Sequence, residues 1–227
     1  EESTDEQGTQ LDKVEEQGSE YQVPYPVKSR GFNESVLIPV ALKEPTERFL
    51  DKLESEVGDI DQYVAEELGY ESVDELWKGL MGLQVDGVAS AIYNINNGGA
   101  TIIADQTGVG KGRQAAALIR YAKKIGKIPV FVTVDPNLFT DMWDDLADIG
   151  TTDIVPFIVN DKEGIKVKVT STTAEPTSKL IHTTTGTKRD KIFKGIIETG
   201  ELPDGISALF FTYSQITSDN IQRKVVK

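Results

Sequence analysis

An α/β fold with a parallel sheet is the class this sequence predicts, and three observations predict it. Short apolar runs, ATIIA, IPVFVTV, DIVPFIVN and ISALFFTYSQIT, alternate with helical stretches. That rhythm belongs to parallel strands covered by helices on both faces. A glycine loop, QTGVGKG, joins the first run directly to RQAAALIRYAKKIG, a helix rich in strong helix formers and closed by Gly126. The third observation is negative: every apolar run is far shorter than a bilayer requires, so no membrane partner is expected.

The elements follow in order. Residues 1–20 hold eight acids against Lys13 alone, more than half of the net charge of -13, with almost no apolar residues. They read as an acidic disordered tail or linker. Residues 21–82 read as an extended, proline-bearing segment followed by a small helical preface. Pro45 suits a first helical position, with Phe49, Leu50, Leu53 and Val57 at helical spacing behind it. Gly58 ends that helix, Asp59 caps a second, and Ser72 with Glu75 forms a capping-box pattern for a third.

Residues 83–227 read as the sheet-bearing lobe. Val85, Val88, Ala89, Ile92 and Ile95 share one face of a helix that stops at Gly98-Gly99. ATIIA is then a short strand, IPVFVTV a second, and Asp135-Pro136 starts the helix NLFTDMWDDLADIG. DIVPFIVN is a third strand. An insertion at about 161–187, alternating in IKVKVTSTT and Thr-rich after it, reads as a hairpin or a mobile, partly ordered insertion. A helix over 188–198 and the buried strand ISALFFTYSQIT close the chain.

The glycine loop carries the chemistry. A phosphate loop follows a strand, opens a helix, and turns backbone N–H groups and one Lys toward phosphate oxygens. Counting back from Lys111, the frame is Asp105 to Gly112, with Gly108 and Gly110 closing the turn. Its last residue is Gly112, where Ser or Thr ordinarily gives magnesium a hydroxyl ligand. No residue of the chain is assigned as a metal ligand on this reading. The ion would rely on nucleotide oxygens, waters and a carboxylate from elsewhere.

These residues resemble a family. ADQTGVGK looks like the ADEMGLGKT loop of Swi/Snf-type superfamily-two helicases, and Gln84-Val-Asp-Gly-Val88 looks like their QLEGV element, 27 residues before Lys111. VFVTVDPNLFTDMWDDL is similar to their motif Ia strand and helix, and ALFFTYSQI to their ITTYEL strand. The GVGKGR ending resembles the strawberry-notch branch, whose phage and plasmid members join helicase-like lobes to methylase or other modules. The resemblance implies a RecA-like P-loop NTPase lobe, the N-terminal part of a first motor lobe, using ATP and Mg2+.

By the same resemblance, Gln84 recognises adenine and Thr107, Gly108, Val109, Gly110, Lys111 and Gly112 cradle the phosphates. Lys111 is the catalytic counter-charge. Arg113 replaces nothing catalytic in the ordinary family; it is counted with the nucleotide contacts and its role is open between pairing with Asp105 and approaching a phosphate. Thr133, Asp135 and Pro136 sit near a DNA backbone, so DNA is a partner of the full-length protein, with a second helicase lobe and further modules of the same polypeptide. The chain lacks an initiator Met and shows no Asp-Glu strand end after Tyr213. It is therefore expected to be a segment of a longer chain, inactive in hydrolysis alone, in the cytoplasm of a bacterial host. The alternative is a structural module packaged in a virus particle that keeps the fold without catalysis.

The remaining candidates have plainer readings. His182, the single histidine, reads as a solvated loop residue. Asp141, Asp144, Asp145 and Asp148 read as a solvated helix face opposite Leu138, Met142 and Leu146, not as a metal cluster. Lys188, Arg189, Lys191 and Lys194 read as an exposed basic face, and Trp77 and Trp143 as packing residues. The absence of Cys removes thiolate metal sites and fits a reducing compartment.

Overall fold

The computed structural model describes residues 22–105, 108–169 and 177–217, so the acidic opening, expected to be disordered, lies outside them. The chain divides into two units, Glu1–Gln106 and Thr107–Lys227.

In the first unit, β1 (Gln22–Pro24) pairs antiparallel with β2 (Leu37–Pro39), Val23 opposite Ile38. Strand β2 runs straight into helix α1 (Val40–Val57), which corrects the expectation for Pro45. The proline lies inside the helix, where it deprives the Ala41 carbonyl of its donor. The turn before it tolerates this because it is peripheral, with Val40 and Leu42 exposed. Gly58 ends α1 as expected, and Asp59 caps α2 (Ile60–Leu68) by accepting from Gln62 N at 2.9 Å. Ser72 caps α3 (Val73–Gly79) through Glu75 N.

Helix α4 (Gly82–Asn96) buries Val85, Val88, Ala89 and Ile92 and packs against α1 and α2, which bury Leu53, Val64 and Leu68. Full burial of each larger aliphatic stabilises the unit by roughly 1.5–3 kcal/mol before entropy is counted. Ile95, expected on that face, is exposed because the helix outruns its partners there. The ATIIA run is a second correction. Residues 101–105 pair with no strand among those described, and Ile102 is 90 % exposed. Local bonds explain the segment's path: Gly99 N donates to Asn94 O, and Asn94 Nδ2 to Thr101 Oγ1, at 2.8 and 3.0 Å. These bonds tie the stretch to the end of α4, and an apolar run without ladder partners is not a strand.

The second unit holds the sheet. Helix α5 (Lys111–Lys124) leads to β3 (Val130–Thr133), α6 (Leu138–Asp148) and β4 (Pro156–Ile158). An antiparallel hairpin follows, β5 (Ile165–Val169) with β6 (Thr177–Ile181), then α7 (Gly186–Thr199), β7 (Ala208–Thr212) and α8 (Tyr213–Thr217). The parallel sheet has the order β3-β7-β4, with Phe131 opposite Phe210 and Phe157 opposite Leu209.

Alternation along β7 splits its side chains between two helical layers. Phe210 meets Phe131 and, from α6, Phe139, with ring centroids 5.1 and 6.0 Å away. Leu209 and Phe211 pack with Phe157 and with Ile192, Phe193 and Ile196 of α7. The fold is thus α/β with helices on both faces of a parallel sheet, as the alternating pattern predicts. The last apolar run is corrected at its end: β7 stops at Thr212 and residues 213–217 turn helical. The hairpin expected within 161–187 is present, with residues 170–176 outside the description.

Candidate functional site

Two glycines shape the loop that opens α5. Gly108 has φ 94° and Gly110, the N-cap of α5, has φ 78° and ψ 42°. Side chains rarely adopt these left-handed conformations, so the turn depends on both glycines. The N-cap glycine brings no side chain to the start of α5, and the positive end of the helix dipole lies at the loop. Lys111 is the first helical residue, and Arg113 N closes the turn onto Gly110 O at 3.1 Å. Thr107 lies outside the described residues. Gly108 to Arg113 are therefore contiguous at one helix start, the place that a phosphate loop requires.

What stands behind that loop differs from expectation. A β-carbon added to Gly112 would overlap Oδ2 of Asp145, 2.8 Å from the carboxyl carbon and 3.2 Å from Oδ1. Position 112 is glycine because α6 presses a carboxylate against it. One residue on, the Arg113 guanidinium donates to Asp148 Oδ2 at 2.6 Å. The Arg113 guanidinium thus reaches α6, a partner outside the two the sequence suggests. The four acids of α6 are likewise not one solvated face. Asp141, Asp144 and Asp148 are exposed, while Asp145 is half-buried on the side facing α5. Burial raises the pKa of Asp145; Arg113 opposes the rise, and Asp148, Asp141 and Asp144 add to it.

Gln84 lies in the first unit. It is buried in the first turn of α4, where its Oε1 accepts from Met81 N at 2.9 Å and helps cap the helix. Phe32, to which the sequence reading assigns no role, stands beside that turn. Its carbonyl accepts from Gly82 N at 2.7 Å, Asn33 Oδ1 accepts from Leu83 N at 3.2 Å, and the ring is 72 % exposed.

A second pair of acids, Asp61 and Asp86, pins the extended segment of the first unit. Asp61 accepts from Ser29 Oγ, from Arg30 N at 2.9 Å and from Trp77 Nε1 at 3.1 Å. Asp86 accepts from Lys28 N and Ser29 N at 2.8 and 2.9 Å. Burial pushes Asp86 up to about 6 despite those two bonds. Burial also works against ionised Asp61, yet its hydrogen bonds from Ser29, Arg30 and Trp77 outweigh it and lower the pKa.

The other candidates resolve simply. His182 is not a solvated loop residue: its ring lies 5.0 Å from that of Trp143, and burial lowers its pKa. Arg189 pairs with Asp190 and Asp161 and Lys194 with Glu198, so the basic face is partly neutralised. Thr133 is buried, Asp135 is exposed and Pro136 lies between. No helix among the described residues is long and apolar enough to cross a membrane.

A search of curated proteins and of solved structures returns no match. One family model does match, over residues 62–227, most of the chain and all of the glycine loop. Nucleotide binding, usually with a divalent metal, is what such a domain implies. By that match, and with a parallel sheet and a glycine loop opening a helix as its geometry, the chain belongs to the family of P-loop containing NTP hydrolase pore-1.

Proposed function

We propose that this chain is the ATP-binding first motor lobe of a large helicase-like protein that acts on DNA, of the strawberry-notch-like branch, and that it binds nucleotide without turning it over alone. The observation that carries the proposal is the loop itself. Two left-handed glycines, a helix start and Lys111 at its first position have the makeup of a receptor for a polyphosphate. The resemblance of the GVGKGR ending and of the Gln84 element supplies the finer identity. Binding is proposed rather than turnover because no described strand ends in the Asp-Glu pair that orients an attacking water. DNA, a second lobe and further modules of the same polypeptide are the partners proposed.

Adenine recognition is assigned to Gln84 by the resemblance of its element. Calorimetric titration with ATP tests the whole reading. The parent is expected to bind, and Lys111→Ala to weaken binding by roughly 10- to 100-fold through loss of a charge-assisted contact. Equal binding by parent and Lys111→Ala, or none by either, refutes it. Gln84→Ala is expected to weaken ATP more than a triphosphate bearing another base.

A further inference from the structure

We infer that the carboxylate of Asp145 is the protein's ligand for the divalent cation that accompanies a nucleotide at the glycine loop, in place of the hydroxyl that position 112 lacks. The inference rests on the proposed nucleotide site and goes beyond it by naming a metal ligand on a different helix.

The argument begins with position 112. In a phosphate loop the residue after the Lys reaches the ion through an oxygen one bond beyond Cβ. Here the Cβ volume of Gly112 is filled by Asp145 Oδ2, with the carboxyl carbon 2.8 Å and Oδ1 3.2 Å from the Cβ position. An oxygen donor therefore stands on the same side of the first turn of α5, delivered from α6 instead of from the loop. The exchange explains both halves of the unusual Gly112-Arg113 pair. Glycine makes room for the carboxylate, and Arg113, bonded to Asp148 one turn along α6 at 2.6 Å, holds α6 against α5.

The chemistry of the donor fits. Magnesium and manganese(II) take hard oxygen ligands and commonly use one or two carboxylates together with substrate phosphates and waters. Among the described residues no three His, Cys, Asp or Glu side chains gather to hold an ion by themselves. A single carboxylate beside a phosphate loop suits an ion shared with the nucleotide. The charged groups acting on Asp145 are Arg113, Asp141, Asp144 and Asp148, which leaves the surroundings net acidic when no cation is bound.

The test separates nucleotide from metal. ATP affinity is first measured by calorimetry in EDTA, and Mn2+ affinity for the protein–ATP complex is then read by electron paramagnetic resonance. Asp145→Asn is expected to leave metal-free ATP binding unchanged or tighter, since a negative charge is removed. It should weaken Mn2+ binding to the complex by roughly tenfold or more. The double variant Gly112→Ser with Asp145→Ala restores a hydroxyl where the carboxylate stood, and is expected to bind Mn2+ more tightly than Asp145→Ala alone. A purely packing role predicts the opposite pattern: weaker metal-free ATP binding in Asp145→Asn, Mn2+ affinity equal to the parent, and no rescue by the serine. That pattern overturns the inference while leaving the nucleotide site intact. A parent that binds no ATP under either condition removes both.

Discussion

Asp61 in the first unit and Asp145 in the second are the same side chain, each on a helix, each close to a backbone that needs the space around it. Asp61 is 2 % exposed and takes hydrogen bonds from a hydroxyl, a backbone amide, a guanidinium and an indole. Asp145 is half-buried, presses on a glycine, and is held by charge alone, with no hydrogen bond among the influences on its ionisation. The first carboxylate has every lone pair employed in the fold; the second has acceptor capacity left over. A carboxylate saturated by donors is a structural pin, whereas one kept near a phosphate loop without donors is poised for a ligand.

The contrast breaks most sharply on stability. Asp61→Ala strands several buried donors at once and is expected to destabilise the protein by about 3–5 kcal/mol. Asp145→Ala should cost less than about 1 kcal/mol, because little depends on it when no ligand is bound. Urea unfolding of the two variants reads the difference directly. Comparable losses in both would erase the distinction between pin and ligand.

The next test works on the glycine instead of the acid. Gly112→Ala drives a methyl group into Asp145, and overpacking of this kind costs about 1–3 kcal/mol. Shortening the acid in the double variant Gly112→Ala with Asp145→Gly is expected to return most of that loss. A double-mutant cycle on the unfolding free energy measures the recovery, and additive losses would mean that the two helices separate to avoid the clash.

The pH dependence of stability sharpens the comparison inside the first unit. Asp86 is raised to about 6 in the folded state. The fold therefore prefers it protonated, and its contribution is present below the unfolded value near 3.8 and is lost as pH rises through 6. Asp61 is lowered, so its contribution is present above the unfolded value and lost as pH falls through the folded one. Asp86→Asn is expected to remove a decline on the order of 2 kcal/mol between pH 4 and 6. Thermal melts across that range check it, and an unchanged slope in the variant would mean that Asp86 titrates normally.

The sequence discloses these regions unequally. The β3, β4 and β7 segments and the helices between them are legible because apolar runs alternate with helical stretches, and β7 shows the underlying alternation in Phe210 against Leu209 and Phe211. The helix caps at Asp59 and Ser72 are legible because they are local. The failures are tertiary. ATIIA has the composition of a strand, but pairing decides strands, and Thr101 is bonded to the end of α4 instead. Pro45 suits a helix start, but β2 feeds the helix five residues earlier. The loop was readable from Gly108, Gly110 and Lys111, while its backing by Asp145 was not. Yet the signal existed: a glycine where a side chain is ordinary asks what approaches it, and Asp145 and Asp148 are three apart on one helix face.

The smallest expected effect concerns Arg113. Its bond to Asp148 is short, but the two side chains are 36 % and 52 % exposed. Solvent screens such a pair, and its coupling should be below about 1 kcal/mol and fade in molar salt. If α6 holds Arg113 in this way, Arg113→Ala and Asp148→Ala should lower stability by similar small amounts and leave ATP affinity within about twofold of the parent. The alternative role, contact with a phosphate, predicts an asymmetry. Arg113→Ala would then weaken ATP by tenfold or more while Asp148→Ala strengthened it, because the freed guanidinium could reach the nucleotide. The two patterns share no outcome, so one titration series on two variants assigns Arg113 either to the frame that positions Asp145 or to the ligand itself.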